Sequence, residues 1–224
     1  MDDTDLGTLT REGDRWMLTF TRRLAHPREK VWRAVTEPAH LAAWYPQEMV
    51  GERRAGAPLR FVSSQHDGFD GQMLVFEPPE VMEFTWGADR LRIELRADGA
   101  STVLTLTDTF DELGKAARDG AGWHECLDRL AGELDGTPPR PWGERWGEVH
   151  PRYVTHLGPD AATIGPPRLR ITGLTGTGRG PPTAPPGGSA RRGARRAPGP
   201  ARRPAAPGRP AAAARPGRSG RPAR

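Results

Sequence analysis

The sequence predicts an α+β domain: a curved antiparallel sheet of six to seven strands wrapped on a long C-terminal helix, with two short helices after the first strand. Three observations predict it. Short β-rich or alternating runs recur at regular spacing between residues 58 and 110. Two proline-led helical patterns precede them. One long apolar helical stripe follows them.

The first strand is WMLTFTRRLA, residues 16–25, where Leu18, Phe20 and Leu24 alternate with polar neighbours. Pro27 then opens a helix in which Val31, Trp32 and Val35 recur at helical spacing. Pro38 stops it and starts a second, PAHLAAWY. PLRFVSS, QMLVFE, VMEFTWG, RLRIELRA and STVLTLTDTF then read as five strands. Gly68 to Gly71, Pro78-Pro79, Gly87 to Asp89 and Asp98-Gly99 separate them as turns, so the strands form an antiparallel meander. The strand at 16–25 and a short one near Glu48 to Gly51 complete six or seven.

The long helix runs from about Leu113 to Leu134, with Trp123, Leu127, Leu130 and Leu134 as its stripe. Gly136 ends it. A further helical stretch, GERWGEVHPRYVTHLG, carries Trp146, Val149, Tyr153 and Leu157 and is interrupted by Pro151. A curved sheet buries its concave face only against something long, and the long helix is the available partner. Sheet and helix are expected to bound a space wider than side chains fill, where ligands bind.

Composition divides the chain in two. Residues 1–164 hold all 28 acidic residues but 19 of the 33 Lys and Arg, for a formal charge of −9; residues 165–224 hold 14 Arg and no acid. The expected boundaries are a flexible N-terminus at 1–13, a folded domain at 14–167 and a disordered Arg/Pro/Gly/Ala-rich tail at 168–224. The tail reads either as a basic arm that binds nucleic acid non-specifically by charge, or as a passive extension or reading-frame product of GC-rich DNA. The one cysteine, Cys126, cannot form an intramolecular disulfide. The acidic start is no signal peptide and no run has membrane-spanning length, so a soluble, cytoplasmic protein is expected.

FTRRLAHPREKVWRAVTEPAHLAAWYP resembles the opening of the START-like (SRPBCC, helix-grip) superfamily. FDGQMLVFEPPEVMEFTW, TVLTLTDTF and GWHECLDRLAGEL are similar to its central strands, last strand and final helix. ERWGEVHPRYVTHLGPDAATIGPP looks like an ending seen in bacterial members. The nearest subgroup is the one named for the C-terminal domain of the heat-shock-protein-90 ATPase activator homologues. The resemblance spans about residues 14–167. It implies the helix-grip fold and a small, mostly apolar ligand in a hydrophobic cavity. It also admits a polyketide cyclase or dehydratase activity, or a stress-response or chaperone-linked role.

Leu104, Leu106, Asp108 and Phe110 share one face of the last strand. If that face looks inward, Asp108 is a carboxylate in an apolar wall, able to act as acid, base or anchor; at the rim it is solvated or caps a turn. His124 flanks the helix stripe and is the second candidate acid-base group. Trp44, Phe61, Phe84, Trp86, Phe110 and Trp123, with Leu106 and Leu127, are candidates for a ligand wall or for plain core. Gly120 and Gly122 beside Trp123 imply a kink, a space beside the helix, or a helix that starts near Gly122. No metal or cofactor is expected. His124-Glu125-Cys126 lacks the later PCxxC of zinc deaminases. No HExxH, GxSxG or P-loop occurs, and GLTGTGRG (173–180) lacks the Lys-Ser/Thr of a phosphate loop.

Overall fold

The computed structural model describes residues 5–63 and 68–165. The tail expected from residue 168 lies outside the described residues. In chain order the elements are β1 (Thr8–Glu12), β2 (Arg15–Leu24), α1 (Arg28–Thr36), α2 (Pro38–Trp44), β3 (Glu48–Gly51), β4 (Pro58–Val62), β5 (Phe69–Glu77), β6 (Val81–Trp86), β7 (Asp89–Asp98), β8 (Ser101–Phe110), α3 (Ala116–Asp135) and α4 (Glu144–Leu157). The sheet runs β1-β2-β8-β7-β6-β5-β4-β3, and every neighbouring pair is antiparallel. α1 and α2 carry the chain from β2 at one side of the sheet to β3 at its far edge.

The described sheet therefore has eight strands, not six or seven. The added strand is β1, which falls within the segment expected to be flexible. It forms a hairpin with β2, pairing Thr8 with Thr19 through Glu12 with Arg15. Leu9 is its only large apolar residue, so the hairpin is held by backbone pairing rather than by an alternating apolar face.

One face of the sheet is buried. Leu18 and Phe20 of β2, Leu91 and Ile93 of β7, and Leu104, Leu106 and Phe110 of β8 are all at most 2% exposed. Trp123, Leu127, Leu130 and Leu134 of α3 belong to the same core. α3 runs without a break through Gly120 and Gly122, preceded by one 3-10 turn at Leu113–Lys115. A Cβ on Gly120 would lie 2.8 Å from the Tyr153 ring, so the missing side chain lets α4 approach; Gly122 faces open space. The helix stops at Gly136 in a left-handed conformation (φ 71°), its N–H bonded to Glu133 and Gly132 carbonyls.

α4 is also continuous, where an interruption at Pro151 was expected. Gly147 and Pro151 are both exposed, so the carbonyl freed by the missing proline N–H is on the solvent side. Val149 and Tyr153 form its buried side. Among the described residues, no helix is long and apolar enough to cross a membrane.

Candidate functional site

Asp108 lies inside the protein, not at the rim. β8 carries it between Leu18 of β2 and Leu91 of β7, and it is fully buried. Its Oδ2 accepts the indole N–H of Trp123 at 2.9 Å; Oδ1 has no hydrogen-bond partner. Burial pushes its pKa up to about 7, with Asp89 adding to the rise and the Trp123 bond opposing it. A carboxyl group in this state holds or releases a proton near neutrality.

Next to it, carboxylate oxygens of Asp89, Asp108 and Asp119 lie within 4.8 Å of one another. Such a set invites a cation, and the chain supplies one. The Lys115 ammonium bonds Asp89 and sits 3.0 Å from Asp119, and Arg118 pairs with Asp119 at 2.7 Å. The lysine also stands 4.9 Å from the Phe110 ring. The cluster is an internal ion network that fastens the start of α3 to β7, and a metal would have to displace Lys115.

Four of the aromatic candidates, Phe61, Phe84, Trp86 and Trp123, form one connected wall together with Phe69. Phe61 stacks on Phe84 (5.8 Å) and Phe69 (5.1 Å), and Trp86 meets both Phe69 (5.8 Å) and Trp123 (5.4 Å) edge-on. Phe61, Phe84, Leu106, Phe110, Trp123 and Leu127 are buried; Trp86 and Phe69 are half-buried at the outer end. Trp86 donates to Gln47 at 2.9 Å. Trp44 is buried differently, bonding the Ala34 carbonyl at 2.9 Å and so tying α2 to α1.

The residue that the sequence reading missed is Tyr45. Its ring lies 6.3 Å from Phe61 and Phe84 and 6.0 Å from Trp123, and its buried hydroxyl has no partner. Burial holds its phenol well above the ordinary value, and the nearby Cys126 and Asp108 act in the same direction. The only available signal was its place just after the α2 apolar run.

His124 does not join Asp108. It is buried against α4, with Nδ1 3.2 Å from the Tyr153 hydroxyl and Nε2 3.1 Å from Arg145. Arg145 can only donate, so Nε2 accepts and the proton sits on Nδ1. Burial lowers the His124 pKa to about 4, against the pull of Asp128. Glu125 accepts the Gly143 N–H at 2.9 Å at the start of α4, and Cys126 points into the core. The three neighbours diverge, as side chains at successive helical positions do. An acid-base pair of Asp108 and His124 is therefore not assembled.

Between the sheet and α3 stand the aromatic wall and the leucines of β7, β8 and α3. Two surface depressions open elsewhere. One, of about 350 Å³, is lined by Leu6, Pro151, Arg152, Thr155 and His156; the other, of about 400 Å³, lies over Arg28, Glu80, Arg96 and Thr105. Neither touches Asp108 or Tyr45.

The family described as activator of Hsp90 ATPase homolog 1-like protein matches residues 25–135. No curated protein matches the chain. Among solved structures, a conserved protein of unknown function from Enterococcus faecalis superposes with a TM-score of 0.58 at 17% identity, over 67% of this chain and 90% of that one. CalU16 from Micromonospora echinospora gives 0.57 at 23% identity, over 67% and 96%. DynU16, encoded in the dynemicin biosynthetic locus, gives 0.51 at 27% identity, over 58% of this chain and 51% of that one.

Proposed function

Through residues 25–135 the chain belongs to the activator of Hsp90 ATPase homolog 1-like family, of the SRPBCC type, and from that premise we propose that it binds a small, mostly apolar molecule between the sheet and α3. One observation carries the reading. Asp108 Oδ1 and Tyr45 Oη are both buried without partners in an aromatic wall. Each such group costs about 1–3 kcal/mol, so a fold that keeps two beside the same Trp123 ring gains by having something bind there. Trp86 and Phe69 are the half-buried rings of the wall, and on this reading the ligand enters past them toward Trp123 and Asp108. Phe61, Phe84, Trp86, Trp123 and Tyr45 form the apolar walls on this reading, with Asp108 as anchor.

DynU16 belongs to a biosynthetic locus, which favours a small-molecule role over a chaperone-linked one. Binding without catalysis is the reading adopted, because His124 packs against α4 instead and the neighbouring Asp119 is held by Lys115 and Arg118. The test is native mass spectrometry of the full chain purified from its own host, with a denatured control. The expected result is a co-purified small molecule that is lost on denaturation. A folded protein that carries nothing, and that shows no tryptophan quenching across a panel of apolar compounds, overturns the reading.

A further inference from the structure

Asp108 Oδ1 and Tyr45 Oη come from unrelated parts of the fold, the end of β8 and the residue after α2. They border the same side chain. Trp123 donates to the other oxygen of Asp108, and its ring lies 6.0 Å from that of Tyr45. Around them stand Phe61, Phe84, Leu18 and Leu91, which offer no hydrogen bond. We propose, resting on the interior binding site above, that neutral Asp108 and Tyr45 are paired hydrogen-bond donors to a single carbonyl oxygen of an otherwise apolar ligand, a ketone or enone.

The choice of ligand group follows from counting hydrogens. Trp123 already occupies Oδ2, so a protonated Asp108 presents an O–H at Oδ1. Tyr45 keeps its phenolic proton, being held well above its ordinary pKa. One atom with two lone pairs can take both bonds. A carbonyl oxygen supplies them and has no hydrogen of its own to satisfy. An alcohol accepts both bonds but leaves its O–H facing rings. An ammonium group accepts neither. A carboxylate adds a negative charge beside Asp89 and Asp119.

The groups facing Asp108 set the pH range. Asp89 from β7 and Asp119 from α3 favour its neutral form, while Lys115 and the Trp123 N–H favour its charged form; burial outweighs them, and the group titrates at about 7. The donor is therefore present below that pH and lost above it.

The test uses the full chain and two probes of one shape, 2-acetylnaphthalene and 2-ethylnaphthalene, followed by tryptophan quenching at about pH 5.5 and about pH 8.5. In the wild type the ketone binds about 10-fold tighter than the hydrocarbon at the lower pH, and this preference shrinks at the higher pH. Tyr45→Phe loses most of the preference at both pH values. Asp108→Asn, whose amide still donates, keeps it at both. Equal binding of the two probes overturns the donor pair and leaves the binding site standing; it is also the result if a retained water takes both bonds. A ketone preference that neither variant alters overturns the pair as well. Binding of neither probe removes the site, and the pair with it.

Discussion

The indole N–H of Trp123 donates to Asp108 Oδ2 at 2.9 Å, joining the middle of α3 to the last strand inside the core. The donor makes a buried carboxylate tolerable, and it strengthens as the acceptor ionises. Trp123→Phe keeps a ring but removes the bond. It is expected to cost about 1–3 kcal/mol in urea unfolding, and more at pH 8 than at pH 5, because the orphaned oxygen is then charged. Equal losses at the two pH values would mean that only ring volume matters.

Asp108 itself gives stability a slope with pH. Its pKa rises from an ordinary 3.8 to about 7 in the fold. The native state thus binds the proton more tightly than the unfolded chain does. The stability that Asp108 contributes is fully present below about pH 4, falls as pH rises toward 7, and is flat beyond. Asp108→Asn keeps the shape and removes this contribution. Across that window the wild type should lose on the order of 4 kcal/mol relative to the variant. Urea midpoints measured from pH 4 to 8 decide it, and parallel profiles rule it out.

His124 acts with the opposite sign. Its pKa falls from 6.5 to about 4, because burial against α4 excludes the charged ring. The unfolded chain takes up the proton first, so stability drops as pH falls from about 6.5 to 4. Its neutral ring is fixed by the Arg145 donor and the Tyr153 hydroxyl. His124→Gln should remove this acid-side loss. An imidazole resonance in nuclear magnetic resonance that titrates near the free-histidine value would refute the buried neutral state.

Side-chain period made most strands legible, and β8 best. STVLTLTDTF alternates cleanly enough to put Asp108 on the same face as Leu104, Leu106 and Phe110. β1 was hidden because its hairpin rests on backbone pairing, and Leu9 alone hints at a face. Tyr45 was hidden because α2 ends at Trp44 and the chain turns extended there (φ −85°, ψ 139°), so helical spacing no longer says where the ring goes. The face of each strand could be read, but not how closely Tyr45, Phe61 and Trp123 close together. That depends on contacts between segments far apart in the chain, as does the meeting of His124 with Tyr153.

The two glycines of α3 separate helix propensity from packing. In an exposed helix interior, Gly→Ala gains about 1 kcal/mol. Gly122 has nothing within 4 Å of the added methyl, so Gly122→Ala should stabilise by up to about that amount. Gly120→Ala places the methyl 2.8 Å from the Tyr153 ring. That ring cannot easily retreat: its hydroxyl accepts the Gly7 N–H at 2.9 Å and meets His124. Overpacking at such a site costs about 1–3 kcal/mol, so Gly120→Ala should destabilise despite the better helix former. Tyr153→Phe in the Gly120→Ala background frees the ring from Gly7 and His124, and should recover part of the loss beyond the sum of the single effects. Thermal or urea unfolding of the four variants checks the signs. If Gly120→Ala proves neutral, the close approach of α4 to α3 is not what the glycine provides.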